Sequence, residues 1–246
     1  MAATVILIHG AWQGSWVWTR LTPLLEAAGL HAIAVDLPGN GADGTPPRTA
    51  SLEGYVAHLG AVIAAQAGPV ALVGHSGGGV VATAVAERYR DRVERVAYVA
   101  GMMLPPGIGF GDVLNQMRAA ETGLLGIGPH LVWSDDRRVS SVPVEAAADI
   151  FLNDVPRAEA LRLAEALTPQ GEAGRAIATM WTPHRFGTLP RLYVECADDR
   201  SVLLQVQRRM QDLVPGAARA TLHAGHAPHV SQPARLAEVL LPFLKG

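Results

Sequence analysis

A chain of 246 residues exceeds the ~150 of an average domain without reaching two, so one large domain or a core carrying an insertion is expected rather than two equal halves. Hydrophobic residues make up 49%, charged residues 17% and the net charge is −2, which excludes a disordered chain. The basic residues, arginines apart from Lys245, are scattered, which excludes a phosphate-backbone binder. The lone cysteine, Cys196, rules out an intramolecular disulfide and leaves a zinc site to histidines and carboxylates, so no metal is expected.

The opening residues lack a basic stretch, and the apolar run 4–8 is far shorter than the ~20 residues of a membrane span. A soluble cytoplasmic protein with neither nucleic-acid nor membrane partners is the expectation. From there, short β-rich apolar runs recur at 4–8, 31–35, 70–73, 93–99, 191–195 and 217–222, with helical patterns at 16–28, 51–67, 78–89, 202–213 and 233–244. Continuous apolarity marks strands covered on both faces, and βαβ alternation implies an α/β fold with a mostly parallel sheet between helices.

The alternation fails over 102–186, where helix-prone pieces lie at 111–121, 144–151, 156–167 and 172–180 without a convincing buried strand, and Pro105-Pro106 marks the exit from the sheet. The chain therefore reads as a core over 1–101 and 187–246 with a helical lid over 102–186, inserted after the fourth strand. Such an insertion leaves from the C-terminal ends of parallel strands, where α/β proteins bind ligands.

Gly74-His75-Ser76-Gly77-Gly78 follows one of the strands and opens a helix. This is the G-x-S-x-G spacing in the strand–turn–helix context that it requires. Glycines two residues either side permit a tight turn with Ser76 at its apex, and the Gly77 amide, at the start of a helix, faces the same space. Serine needs a base, and the base an orienting acid. Of nine histidines, His226 lies in the loop after the last strand and emerges at the same sheet edge as Ser76. His75 and His9 read as structural, and His223 and His229 as loop hydrogen-bonders. The loop after the preceding strand supplies Asp198 and Asp199; Asp199 is favoured, with Asp198 as the alternate. A second oxyanion donor, beside Gly77, is expected from the Ala11 amide in His9-Gly10-Ala11-Trp12.

The segments 5–18 (VILIHGAWQGSWVW), 34–39 (AVDLPG) and 74–79 (GHSGGG), together with Gly225-His226, resemble the α/β-hydrolase superfamily, and within it the branch of plant methyl-ester esterases, hydroxynitrile lyases and related bacterial esterases. The resemblance spans nearly the whole chain and is weak in the lid. It implies Ser76, Asp199 and His226 acting with no metal or organic cofactor, and six strands in the order 2-1-3-4-5-6. Similar lyases carry a threonine after the first-strand histidine and a lysine after the catalytic one. Here those positions are Gly10 and Ala227, so cyanide elimination lacks its cation and ester hydrolysis is the better reading.

Three of the five tryptophans fall in the first twenty residues and two, Trp133 and Trp181, in the expected lid, all around the expected cleft. Met102, Met103, Trp133, Met180, Trp181 and Phe186, with Trp12 as floor, are the candidates for an apolar pocket accepting a small to medium apolar ester. A thioesterase or amidase, a hydroxynitrile lyase, and a slow-turnover receptor on the same fold are the alternatives. The expected partner is the small-molecule substrate, with a homodimer left open.

Overall fold

The computed structural model describes residues 3–118 and 123–246. In chain order it contains β1 (Thr4–Ile8), α1 (Thr22–Ala27), β2 (His31–Val35), α2 (Leu52–Ala64), β3 (Val70–His75), α3 (Gly78–Arg88) and β4 (Val93–Val99). An insertion follows, with α4 (Phe110–Arg118), β5 (Val132–Trp133), β6 (Val139–Ser141), α5 (Val144–Ile150), α6 (Arg157–Ala164), β7 (Gln170–Gly171) and α7 (Glu172–Arg175). The chain then returns through β8 (Arg191–Cys196), α8 (Leu204–Leu213), β9 (Ala218–Leu222), α9 (Pro228–Ser231) and α10 (Pro233–Lys245).

The main sheet has six strands in the order β2-β1-β3-β4-β8-β9, every pair parallel. The register sets Ile8 beside Val35 and Gly74, and His75 beside Val99. The loops after β1, β3, β8 and β9 therefore leave from one edge. Central strands β1, β3 and β8 are buried along their whole length, as their unbroken apolar runs require, whereas the edge strand β9 is largely exposed. Ile6, Ile8 and Leu72 pack with α2, α3 and α8 on one face; Val5, Leu7, Val73 and Val99 pack with α1, α10 and the α5–α6 hairpin on the other.

Three local expectations are corrected. The helix expected over 16–28 is a 3-10 turn, Ser15–Trp18, followed by α1, which starts where Pro23 can occupy the first turn without costing a hydrogen bond. The insertion is not wholly helical, because β5, β6 and β7 form a small antiparallel sheet. Strands of two or three residues are too short to show any period. The helix expected over 172–180 is the single turn α7, after which the chain runs past Gly107, whose amide donates to Thr179 (2.9 Å). The helix expected over 111–121 is α4, and residues 119–121 of that expectation lie outside the described residues.

Candidate active site

Ser76 sits at the turn between β3 and α3 with φ 51°, a left-handed conformation that a non-glycine residue holds only when its surroundings impose it. The surroundings are glycine-lined. A Cβ on Gly74 would stand 2.7 Å from the Gly78 carbonyl oxygen, and one on Gly78 would stand 2.5 and 2.6 Å from the carbonyl oxygens of His9 and Ile8. Helix α3 thus starts directly against the end of β1, and the Gly77 amide lies beside that of Ala11, a Cβ on Gly77 coming 3.8 Å from the Ala11 nitrogen. Neither amide has a hydrogen-bond acceptor among the described residues.

Asp199, and not its neighbour Asp198, reaches His226, accepting from Nδ1–H on Oδ2 at 2.8 Å. Both side chains are buried. The other carboxylate oxygen accepts the amides of Ser201 (2.7 Å) and Val202 (2.9 Å). The fully buried Gln207 ties this loop to β8, with Oε1 accepting the Cys196 amide (2.9 Å) and Nε2 donating to the carbonyls of Cys196 (3.0 Å) and Val202 (2.7 Å). With Nδ1–H committed to Asp199, the other ring nitrogen of His226 is left for a proton acceptor's work. Ser76, Gly77, Ala11 and His226 line one cavity of about 370 Å³.

Two histidines read as structural have defined tasks. His9 donates from Nδ1 to the Gly10 carbonyl (2.7 Å) and accepts the Leu37 amide on Nε2 (3.1 Å). The His75 ring lies between Gln13 Oε1, 3.0 Å from Nδ1, and the backbone carbonyl of His226, 2.9 Å from Nε2. Burial, reinforced by the neighbouring rings of His229 and His226, lowers its pKa well below the usual value. The neutral ring has one N–H and serves one of these two acceptors at a time.

The loop after β1 is held from the insertion. Trp12 has φ 62°, unusual for so bulky a residue. Its amide donates to Gln170 Oε1 (3.2 Å), its indole N–H to the carbonyl and hydroxyl of Ser140 (both 3.2 Å), and its carbonyl accepts the Thr168 amide (2.9 Å). Gln170 also accepts from Asn40 Nδ2 (2.7 Å) and donates to the Tyr55 hydroxyl (3.1 Å), which donates to Asn40 Oδ1 (2.9 Å). This polar cluster forms part of the cavity wall beside Trp12.

Of the expected pocket residues, Trp12 and Met102 line the cavity. Trp133, Trp181 and Phe186 do not. The Trp133 ring lies under the guanidinium groups of Arg137 (4.9 Å) and Arg175 (5.6 Å). Trp181 packs edge-on to Phe186 with 5.0 Å between ring centroids and donates its indole N–H to the Leu104 carbonyl (2.9 Å). Phe186 is fully buried, with Arg191 over its ring. Met103 is core and Met180 is 71% exposed. Trp18, likewise outside the wall, packs against His229 with the rings tilted at 35° and 4.4 Å between centroids. The apolar wall comes instead from Phe110, Leu114, Ile127, Leu131, Ile177 and Leu203, with Arg118 and Arg175 also at its surface. Sequence reasoning missed these, Gln13, and the Asn40, Tyr55 and Gln170 cluster, for which no local pattern gives a signal. Among the described residues no group of His, Cys, Asp and Glu side chains could hold a metal ion.

The sequence profile of the alpha/beta hydrolase family matches residues 5–239. The chain belongs to the alpha/beta hydrolase family. Among the family's members, a pyrethroid hydrolase of Sphingobium wenxiniae is 30% identical over 97% of this chain and 86% of its own length. Esterase PIR7B of rice, Oryza sativa subsp. japonica, is 30% identical over 96% of this chain and 93% of its own. The crystal structure of a pyrethroid hydrolase from Sphingobium faniae superposes with a TM-score of 0.85 at 27% identity, covering 100% of this chain and 98% of that one. The six-stranded parallel sheet is thus that of an alpha/beta hydrolase.

Proposed function

We propose that this protein hydrolyses carboxylic esters in two acyl-transfer steps. The observation that carries the reading is a buried Asp199–His226 pair sharing one cavity with Ser76 and with two backbone amides that have no acceptor among the described residues. Ser76 Oγ attacks the ester carbonyl while His226 takes its proton. The carbonyl oxygen, now carrying the charge, is received by the amides of Ala11 and Gly77, fixed dipoles that need no rearrangement as charge develops. His226 returns the proton to the departing alcohol, and water repeats the sequence on the acyl-enzyme. Asp199 keeps the proton on Nδ1 and stabilises the imidazolium. Relatives named as esterases and hydrolases support the same reaction class.

A cavity of about 370 Å³ with a mainly apolar wall suits a small to medium apolar ester. The insertion covers it as a lid. Elimination of cyanide is disfavoured, because Ala227, directly after His226, is fully buried in the apolar packing on its face of the sheet and presents no cation. No helix among the described residues is long and apolar enough to cross a membrane. Labelling with a fluorophosphonate and mapping the adduct tests the nucleophile. The adduct is expected on Ser76, and Ser76→Ala is expected to lower ester turnover by a factor on the order of 10⁶ with the fold intact. Turnover that survives in that variant would sink the assignment.

A further inference from the structure

The insertion also touches the acid and base loops, through residues that do not line the cavity. In the turn between α5 and α6, Asn153 Nδ2 donates to the carbonyl of Asp198 (3.0 Å). The next residue, Asp154, accepts on one oxygen both the Gly225 amide (2.8 Å) and the Ser231 hydroxyl (2.7 Å). Asp198 immediately precedes Asp199 and Gly225 immediately precedes His226. Two consecutive side chains of the insertion therefore grip the peptide that joins Asp198 to Asp199 and the peptide that ends one residue before His226.

The fit is tight. A Cβ on Gly225 would come 2.5 Å from Asn153 Oδ1 and 2.5 Å from Asp154 Oδ1. The loop has lost its side chain where the turn presses on it, and glycine there leaves the backbone free to wander unless something holds it. Asn153 Oδ1 is buried with no hydrogen-bond partner among the described residues, a cost that a residue serving only local packing could shed by substitution. The loops also bond to each other, the Ala197 amide to the Leu222 carbonyl (2.8 Å) and the Asp198 amide to the Ala224 carbonyl (3.0 Å). Those bonds end on the carbonyl of the Ala224–Gly225 peptide, and the Asp154 carboxylate takes the N–H of that same peptide, so it is held from both sides one residue before His226.

We propose that Asn153 and Asp154 are positioning residues for the reaction: through the peptides of Asp198 and Gly225 they set the Asp199–His226 distance and the presentation of His226 to Ser76. The proposal rests on the Ser76–His226–Asp199 reading above. A displacement of ~1 Å in such a constellation costs turnover on the order of 10²-fold, which is the scale of the effect expected here.

The test uses the full chain and three variants. Asp154→Leu removes the acceptor, Asp154→Asn keeps a side-chain oxygen for both donors, and Gly225→Ala drives a methyl group against the clamp from the opposite side. With an aryl acetate as substrate, Asp154→Leu and Gly225→Ala are expected to lower kcat by about 10- to 100-fold, with KM changed by less than about twofold and fluorophosphonate labelling of Ser76 slowed in step with kcat. The strongly deshielded His226 Nδ1 proton in the one-dimensional proton spectrum is expected to move or disappear in both. Asp154→Asn is expected to recover kcat to within about threefold of the parent and to restore that proton. An unchanged kcat and proton resonance in either disruptive variant would overturn the proposal, as would Asp154→Asn being as impaired as Asp154→Leu. A parent enzyme that fails to label at Ser76 would instead remove the reading on which the proposal stands, and that is seen before any variant is made.

Discussion

Gln170→Leu replaces a residue only 2% exposed by one of nearly the same volume, so the change leaves no large hole and acts through stranded polar groups. The amide of Trp12 and the Nδ2 of Asn40 both lose their acceptor, Gln170 Oε1, and the Gly171 carbonyl loses a donor. Each buried donor without a partner costs about 1–3 kcal/mol, giving about 2–6 kcal/mol for two donors. Because the cluster forms part of the cavity wall, water can replace a share, and the lower part of that range, about 2–4 kcal/mol, is expected. At about 2–4 °C per kcal/mol for a chain of this size, Tm falls by about 4–16 °C. Activity suffers separately. Without Gln170 the Trp12 amide loses its only acceptor among the described residues, while Ser140 and Thr168 still hold the indole and the carbonyl. The peptide that follows Ala11, the proposed oxyanion donor, can then turn from the geometry set by φ 62°, and loss of one such donor costs on the order of 10²–10³ in kcat. Urea melts and steady-state kinetics well below Tm separate the two effects. A Gln170→Leu enzyme that loses stability yet keeps its kcat would refute the view that the insertion sets the oxyanion loop.

Two further predictions concern stability. Gly78→Ala places a methyl group 2.5–2.6 Å from two backbone oxygens at the end of β1, which cannot yield as side chains do; a loss of ~3 kcal/mol or more is expected by urea denaturation, and a near-neutral result would show that α3 can back away from the sheet. His9, His75 and His229 are fully buried, and burial lowers the pKa of each from 6.5, that of His229 to about 3. The unfolded chain therefore takes up protons that the fold refuses, so stability is full above pH ~6.5 and is lost as pH falls from there towards the folded pKa values, at up to about 1.4 kcal/mol per pH unit for each histidine. His229→Phe, which strands no partner because neither ring nitrogen is hydrogen-bonded among the described residues, is expected to flatten the decline measured by urea midpoints between pH 7 and 4.5; an unaltered slope would contradict the assignment of a neutral His229.

Legibility in the sequence followed from how local each signal was. The strands were readable because a parallel strand covered on both faces has to be apolar throughout, as Val5–Ile8 and Val70–Val73 are. The loops bearing Ser76, Asp199 and His226 were readable because each follows a strand within one to four residues and carries its own residue pattern. The insertion offered no such guide. Trp181 and Phe186 look as suitable for a pocket wall as Met102, and only the partners they find, Leu104 for the indole and Arg191 over the phenyl ring, place them in the packing beneath. Gln13 and Gln170 look like surface residues in sequence. Gln170 is buried because its partner Trp12 lies 158 positions away, a relation that no window of neighbouring residues contains.

The grip on Trp12 has a consequence for how the molecule comes into being. Its three holders, Ser140, Thr168 and Gln170, lie in the insertion, and two of their bonds span 128 and 158 positions. A ribosome that has released β1 to β4 has already delivered Ser76 and its turn, yet the loop opposite has nothing to hold a tryptophan in a left-handed conformation. Long-range closures of this kind are made late. On the proposed mechanism, the nascent chain therefore carries Ser76 unarmed until the insertion, and after it His226 near the C-terminus, has emerged and docked.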